Sequence, residues 1–411
     1  MSTTILVIGL MVFFSHFLSL QFRKTNIPDV LVLMLMGILI GPILGVVTPS
    51  DFGRVGPLIA TIALVVILFE GGTSLDLGVL SKSLRATGLL AIISFMLTSI
   101  IVAAIGMLAL DLTLLPAVML GATLGSTSSA VVIPMVNALH LSEKPSTVLV
   151  LESAMTDVLS IVAVFALLQI YTQGGVEPGK LIGSVLAALI FAMVIGVVGG
   201  IGWLLVLGRV RDFPNTISST LAYVFILYGL TEFLGFSGAI AALALGVTLT
   251  NFEKFGLQRI TNVDRKLVPL NETDLTFYRE AVFLLKTYFF VYLGISIHFG
   301  SAIQAYTGIA MVLTTYVMRL VLTRHVLRDD SYSLRDAAIT SMMAPKGLAA
   351  AVLATLPLQF DVVGGETIRD ATYMVVLISI SLTAVLVMLY PKRFTQSIYS
   401  RILNKTAPTQ T

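Results

Sequence analysis

The chain has 411 residues, 57% of them hydrophobic and only 11% charged. Soluble domains carry roughly 25% charged residues, so the composition excludes a water-soluble globular protein and marks a polytopic membrane protein. The absence of cysteine excludes disulfides and thiolate metal sites. A net charge of +3 is read as loop charge rather than as a nucleic-acid surface.

About 20 apolar residues cross a bilayer core. Runs of that kind fall near 4–22, 29–47, 56–72, 87–110, 114–137, 146–171, 180–208, 215–235, 237–250, 277–297, 301–323, 334–357 and 371–391, which is about thirteen spans. The runs are continuously apolar. Barrel strands would alternate over about ten residues, so the expected class is an all-α membrane protein. Met1 to Phe22 lacks a basic n-region and a small-residue cleavage site, and it is read as a first span rather than a removed leader. His16, His140, His298 and His325 form no cluster and are read as interfacial or loop residues.

The basic residues test this count. Of the 25 Lys and Arg, 19 fall in loops after odd-numbered spans or within three residues of such a loop, and Arg54, Lys180 and Arg369 fall in or at the edge of loops after even-numbered ones. Lys286, Arg319 and Lys346 fall well inside spans, away from any loop. Under the positive-inside rule this places the N-terminus outside and the C-terminus in the cytoplasm, as expected of a multi-pass protein of the cell (plasma or inner) membrane.

In chain order, the third span ends L-F-E-G-G-T-S-L-D, with Glu70 at or inside its cytoplasmic end. Glu70 reads either as an interfacial acid or as part of a cation path. The fifth span holds G-A-T-L-G-S-T-S-S-A-V-V-I-P, residues 121–134. Gly121, Gly125 and Pro134 weaken the helix around Thr127, Ser128 and Ser129. Irregular backbone at membrane depth is tolerated only when buried in protein or lining a cavity, where its carbonyls can hold a cation. Ordinary small-residue helix packing is the other reading.

The sixth span, Ser146 to Tyr171, carries two carboxylates, Glu152 and Asp157. Charge at the bilayer centre costs from a few to more than ten kcal/mol, so such acids are functional by default. The alternative is a pair of acids that only salt-bridge neighbouring helices. At about 100° per residue, Ser153 lies about 40° from Asp157 and Thr156 lies at the edge of that face, while Glu152 points about 140° away. Glu152 therefore needs a partner from another helix, and Lys346 is the expected one. The seventh span has Gly196 and Gly200 at a spacing that reads as helix packing. The polar stretch 252–276 reads as a cytoplasmic connector with a surface helix. The twelfth span contains T-S-M-M-A-P-K-G-L-A-A-A-V-L-A, residues 340–354, where Pro345 and Gly347 interrupt the helix around Lys346. Paired interruptions in corresponding halves point to a transporter site. With 1–171 as a first repeat (core helices 87–171), 180–208 as a linker helix and 215–391 as a second repeat (core helices 301–391), the interrupted fifth and twelfth spans correspond. The offset of seven spans inverts the halves. Residues 392–411 form a short polar cytoplasmic tail without room for a soluble regulatory domain.

At these motifs the chain resembles the monovalent cation:proton antiporter superfamily, which includes the sodium/proton antiporters and the Kef-like potassium/proton antiporters. The likeness is carried by F-E-G-G (69–72), G-A-T-L-G-S-T-S-S-A-V-V (121–132), E-S-A-M-T-D-V-L-S-I-V (152–162), G-A-I-A-A-L-A-L-G (238–246), L-K-T-Y-F-F-V-Y-L-G-I-S-I (285–297) and M-A-P-K-G-L-A-A-A (343–351). The resemblance implies a 13-helix inverted-repeat fold with two interrupted crossing helices. It also implies a core domain that moves against a dimerisation domain, and a homodimer. It places Asp157 at the shared cation and proton site and Ser153, Thr127 and Glu70 where cations are bound or admitted. Glu152 and Lys346 match a structural acid and base. Thr156 stands where many members carry Asn or Asp before the binding aspartate, Thr127-Ser128-Ser129 where one branch has Thr-Asp-Pro, and Lys346 where one branch has Arg.

The implied activity is exchange of a monovalent cation, Na⁺ first and K⁺ or Li⁺ as alternatives, for H⁺. Burial penalises the ionised carboxylate, and either a cation or a proton cancels that penalty, so the two compete for Asp157. If Glu152 and Lys346 stay paired throughout, the exchange is electroneutral. If Lys346 instead pairs with Asp157 and releases a proton each cycle, it is electrogenic. A sodium-coupled organic-anion symporter and a channel or sensor are the competing classes. No nucleotide motif or hydrolytic constellation occurs, so neither an enzyme nor a cofactor is expected.

Overall fold

The computed structural model describes residues 9–10, 12–14, 16–17, 28–52, 55–73, 77, 88–139, 141–173, 178–210, 216–254, 270–299, 302–327 and 332–405. The first predicted span, 4–22, and the stretch 255–269 of the predicted connector lie largely or wholly outside them.

The regular structure of the described residues is helical, with no strand among them. In chain order they form α1 (Asp29–Ile38), α2 (Val55–Thr73), α3 (Leu89–Ala109), α4 (Leu114–Leu124), α5 (Ser129–Ala138), α6 (Glu143–Gln173), α7 (Pro178–Val210), α8 (Ser219–Phe233), α9 (Gly238–Thr250), α10 (Glu272–Ile295), α11 (Ala302–Val326), α12 (Leu334–Met342), α13 (Leu348–Leu353), α14 (Leu356–Gln359), α15 (Gly365–Leu389) and α16 (Arg393–Leu403). Leu90–Ala109, Leu114–Val136, Lys144–Thr172, Ile190–Leu207, Ala302–Val326 and Gly365–Leu389 are each long and apolar enough to cross a membrane. Several other predicted spans are shorter. α9 has 13 residues, about 20 Å of helix against a hydrocarbon core of about 30 Å. Its N-terminal end is fixed by capping: Ser237 Oγ accepts from Ile240 N, and Glu232 Oε1 accepts from Gly238 N at 2.7 Å.

The chain divides into two units. The first comprises Met1–Gly53, Ser83–Tyr171 and Thr287–Thr411, and the second Arg54–Lys82 and Thr172–Lys286. In the second unit α2, α7, α8 and α9 enclose a core that includes Val65, Phe69, Trp203, Leu227 and Leu245. The Trp203 indole donates to Thr220 Oγ1 and stacks on Tyr223. Gly196 and Gly200 are packing glycines, since a Cβ on either would strike Ala241 or Thr248 of α9.

In the first unit α3 packs on α4. A Cβ on Gly121 would meet the Ser99 carbonyl, and one on Gly125 would meet the Phe95 ring. Gly121 is therefore a contact residue, and the helix opens only after Leu124. Both interruptions read from sequence are present: Gly125 to Ser128 separate α4 from α5, and Met343 to Gly347 separate α12 from α13. Tyr316 of α11 reaches α15, where its hydroxyl lies 3.0 Å from Ser379 O and bonds the Thr383 hydroxyl.

Candidate functional site

The two helix breaks meet. Ser128 N donates to Pro345 O at 2.8 Å, which ties one interruption to the other. Buried backbone groups freed from a helix need other partners, and here they have them. Thr127 N donates to Thr156 Oγ1 at 3.1 Å, and Lys346 N donates to Ser379 Oγ at 2.9 Å. Ser160 Oγ donates to Ala122 O at 2.6 Å, which satisfies a carbonyl at the end of α4. Lys346 Nζ donates to Ser126 O at 3.0 Å. The breaks are thus sustained by side chains of α6 and α15 and by each other.

The crossing is close enough to require Gly347, because a Cβ there would overlap the Ser128 side chain. Gly347→Ala is expected to lower stability by about 1–3 kcal/mol, the usual cost of overpacking. Adding Ser128→Gly should restore most of it. Thermal unfolding of the two variants checks this, and an unrescued loss would place the strain elsewhere.

Asp157 lies at the first break. Its Oδ2 accepts from Ser129 Oγ at 2.6 Å. Ser129 opens α5, so the carboxylate faces the positive end of a helix. Oδ1 is sealed from solvent and has no hydrogen-bond partner, with the Ser126 hydroxyl close by. The Thr123 and Ser128 hydroxyls are likewise buried without partners. Hard cations take oxygen ligands, so a carboxylate oxygen with the Ser126 hydroxyl beside it offers oxygen donors to a small alkali cation, and the same oxygen can accept a proton.

Of the residues singled out from sequence, Thr127, Thr156 and Asp157 are brought together here. Thr156 spends its hydroxyl on the break, accepting from Thr127 N and donating to Ser153 O. Ser153 is fully buried and donates to Val150 O. Glu70 belongs to the second unit, where Arg279 is its charged neighbour.

The expected Glu152–Lys346 ion pair is corrected. Glu152 pairs instead with Arg319 of α11, and both residues are 1% exposed. The contact is bidentate: Nη2 donates to Oε2 at 2.7 Å, and Nη1 donates to Oε1. Arg319 also reaches Thr340 O of α12 and Ser94 Oγ of α3. A planar guanidinium offers two parallel donors to a carboxylate and more to spare, which a lysine ammonium cannot match. Arg319 thus ties α3, α6, α11 and α12 together, and Lys346 is left on a carbonyl with Glu152 and Asp157 as charged neighbours. The sequence held a signal for this, since Arg319 is one of three basic residues well inside predicted spans.

Residues 9–388 match the family described as sodium/hydrogen exchanger, transmembrane. The K(+)/H(+) antiporter NhaP2 of Shewanella oneidensis is 24% identical over 375 residues, covering 89% of this chain and 62% of that protein. The Na(+)/H(+) antiporter 1 of Methanocaldococcus jannaschii is 24% identical over 383 residues, covering 85% of this chain and 80% of that protein. The chain thus spans about three fifths of the length of the NhaP2 relatives it matches. Among solved structures, the sodium proton antiporter MjNhaP1 from M. jannaschii at pH 8 superposes with a TM-score of 0.73 at 20% identity, over 93% of this chain and 99% of the other. The two share a fold.

Proposed function

The chain belongs to the sodium/hydrogen exchanger family, a family of transporters, and on that footing we propose that it exchanges a monovalent cation for a proton at Asp157. The observation that carries this reading is the carboxylate at the crossing of two helix breaks, with one oxygen bonded to Ser129 and the other unengaged. A cation and a proton compete for it, because each neutralises the same charge. An empty, uncompensated carboxylate crosses apolar surroundings only at high cost, so the site reorients loaded and exchange is coupled. The proposed cation is Na⁺, with Ser153, Thr127 and Thr156 as neighbours of the bound ion and Glu70 as an acid on its entry path. K⁺ is the second reading, favoured by the relatives named as potassium/proton antiporters. The proposed setting is the cell membrane, with the N-terminus outside, the C-terminus in the cytoplasm and two copies forming a homodimer.

Proteoliposomes carrying a pH-sensitive dye test the proposal. Addition of one of Na⁺, K⁺ or Li⁺ should move protons in exchange for that ion. A dye signal indifferent to all three would sink it.

The exchange ratio is proposed as one for one, through Asp157 alone. With Glu152 paired to Arg319, Lys346 has no standing carboxylate partner among the described residues, which makes Lys346 the residue to test. An imposed membrane potential is expected to leave the rate unchanged. A potential dependence that vanishes in Lys346→Arg, which cannot give up its proton, would instead assign Lys346 as a second proton carrier.

A further inference from the structure

α16 follows the membrane-crossing α15 after only three residues. Three residues reach at most about 10 Å, so α16 is confined to the membrane surface by the chain itself. One side of it packs on α12 and α11. Leu403 is buried there, and Lys405 Nζ donates to Tyr332 O at 2.7 Å. The opposite side is a continuous exposed stripe formed by Phe394, Ser397, Ile398 and Arg401, at helical spacings of three and four residues. Phe394 is 77% exposed and Ile398 38%. Lys392, Arg393 and Arg401 flank these apolar side chains and are exposed. From Tyr390 to Lys405 the chain contains no acidic residue.

An apolar stripe edged by basic residues and held at the bilayer surface is the pattern of an interfacial helix, which buries its apolar side at the headgroup boundary and sets its cations among anionic headgroups. We propose that the exposed face of α16 docks on the bilayer surface and binds anionic phospholipid headgroups through Lys392, Arg393 and Arg401, with Phe394 and Ile398 inserted beside them. Charge complementarity selects the occupant: three cations on a stretch with no acid of its own repel a second copy of the same helix and attract a phosphate-bearing surface. Because the other side of α16 rests on α12, which leads into the break at Lys346, a docked α16 also steadies that helix.

The natural chain is free of cysteine, so Ile398→Cys provides a single site for a nitroxide in the full-length protein. The labelled protein is reconstituted in bilayers of phosphatidylcholine alone and of phosphatidylcholine with phosphatidylglycerol. Relaxation by oxygen reports burial in lipid, and relaxation by a water-soluble nickel chelate reports exposure to water. Three basic residues near an anionic leaflet are together worth roughly a hundredfold in partitioning. The label should therefore move from water-exposed or mixed to lipid-buried when phosphatidylglycerol is added. Lys392→Gln, Arg393→Gln and Arg401→Gln combined should abolish that shift while cation-driven proton movement confirms a folded protein. A label equally water-exposed in both bilayers would overturn the proposal. So would a label shielded from both reagents regardless of lipid, which would mean that protein covers the stripe.

Discussion

Asp157→Asn is expected to reduce cation-driven proton movement in proteoliposomes to the level of empty vesicles, with the protein still folded and inserted. The substitution keeps size and shape, and the amide oxygen can still accept the Ser129 hydroxyl that now bonds Oδ2. It removes the charge. An amide neither takes up a proton in the neutral range nor attracts a cation as a carboxylate does, so both exchanged species lose their shared site at once. Thermal unfolding should remain near that of the parent, because the amide keeps the Ser129 bond and Lys346 keeps its bond to Ser126 O. Exchange above the empty-vesicle control would remove Asp157 from the mechanism and leave the helix crossing without its proposed reactive group.

Arg319→Ala is expected to destabilise the first unit by about 3–5 kcal/mol, the cost of leaving a buried acid without its partner. Glu152→Ala should cost a similar amount for the mirror-image reason. The paired replacement Glu152→Leu with Arg319→Met should recover much of the loss, since exchanging a buried ion pair for apolar groups of similar size is often neutral or stabilising. Lys346→Ala should cost less than either single change, because Lys346 bonds a carbonyl rather than an acid. Chemical or thermal unfolding of the four variants provides the comparison. Equal losses at Lys346 and Arg319, without recovery in the paired variant, would contradict the pairing.

The proposed transport role of Asp157 and the ion pairing of Glu152 both follow from their placement on one helix. They are five residues apart on α6, so they leave that helix in different directions. One meets the break and the other meets a guanidinium. The separation of roles was legible before any fold was known, because helical geometry depends only on spacing.

The partner of Glu152 was not legible in the same way. Lys346 stands in a conspicuous Pro-Lys-Gly interruption, whereas Arg319 sits in an uninterrupted helix with no local motif around it. Helical spacing tells which side of α6 carries Glu152. It does not tell which of several helices covers that side. The roles of the hydroxyls have the same limit: Thr156 shares the side of α6 with Asp157, yet its oxygen is taken up by Thr127 N.

The sequence by itself determined a membrane protein, helices rather than strands, and the positions of both interruptions. Those properties depend on composition and on Gly, Pro and apolar runs, which act within one or two turns of chain. The tertiary structure alone decided that the two breaks cross at Ser128 and Pro345, that Gly347 is the crossing point, and that Arg319 neutralises Glu152. Each of these joins residues more than 150 positions apart, and only the packing of whole helices brings such positions within hydrogen-bonding distance.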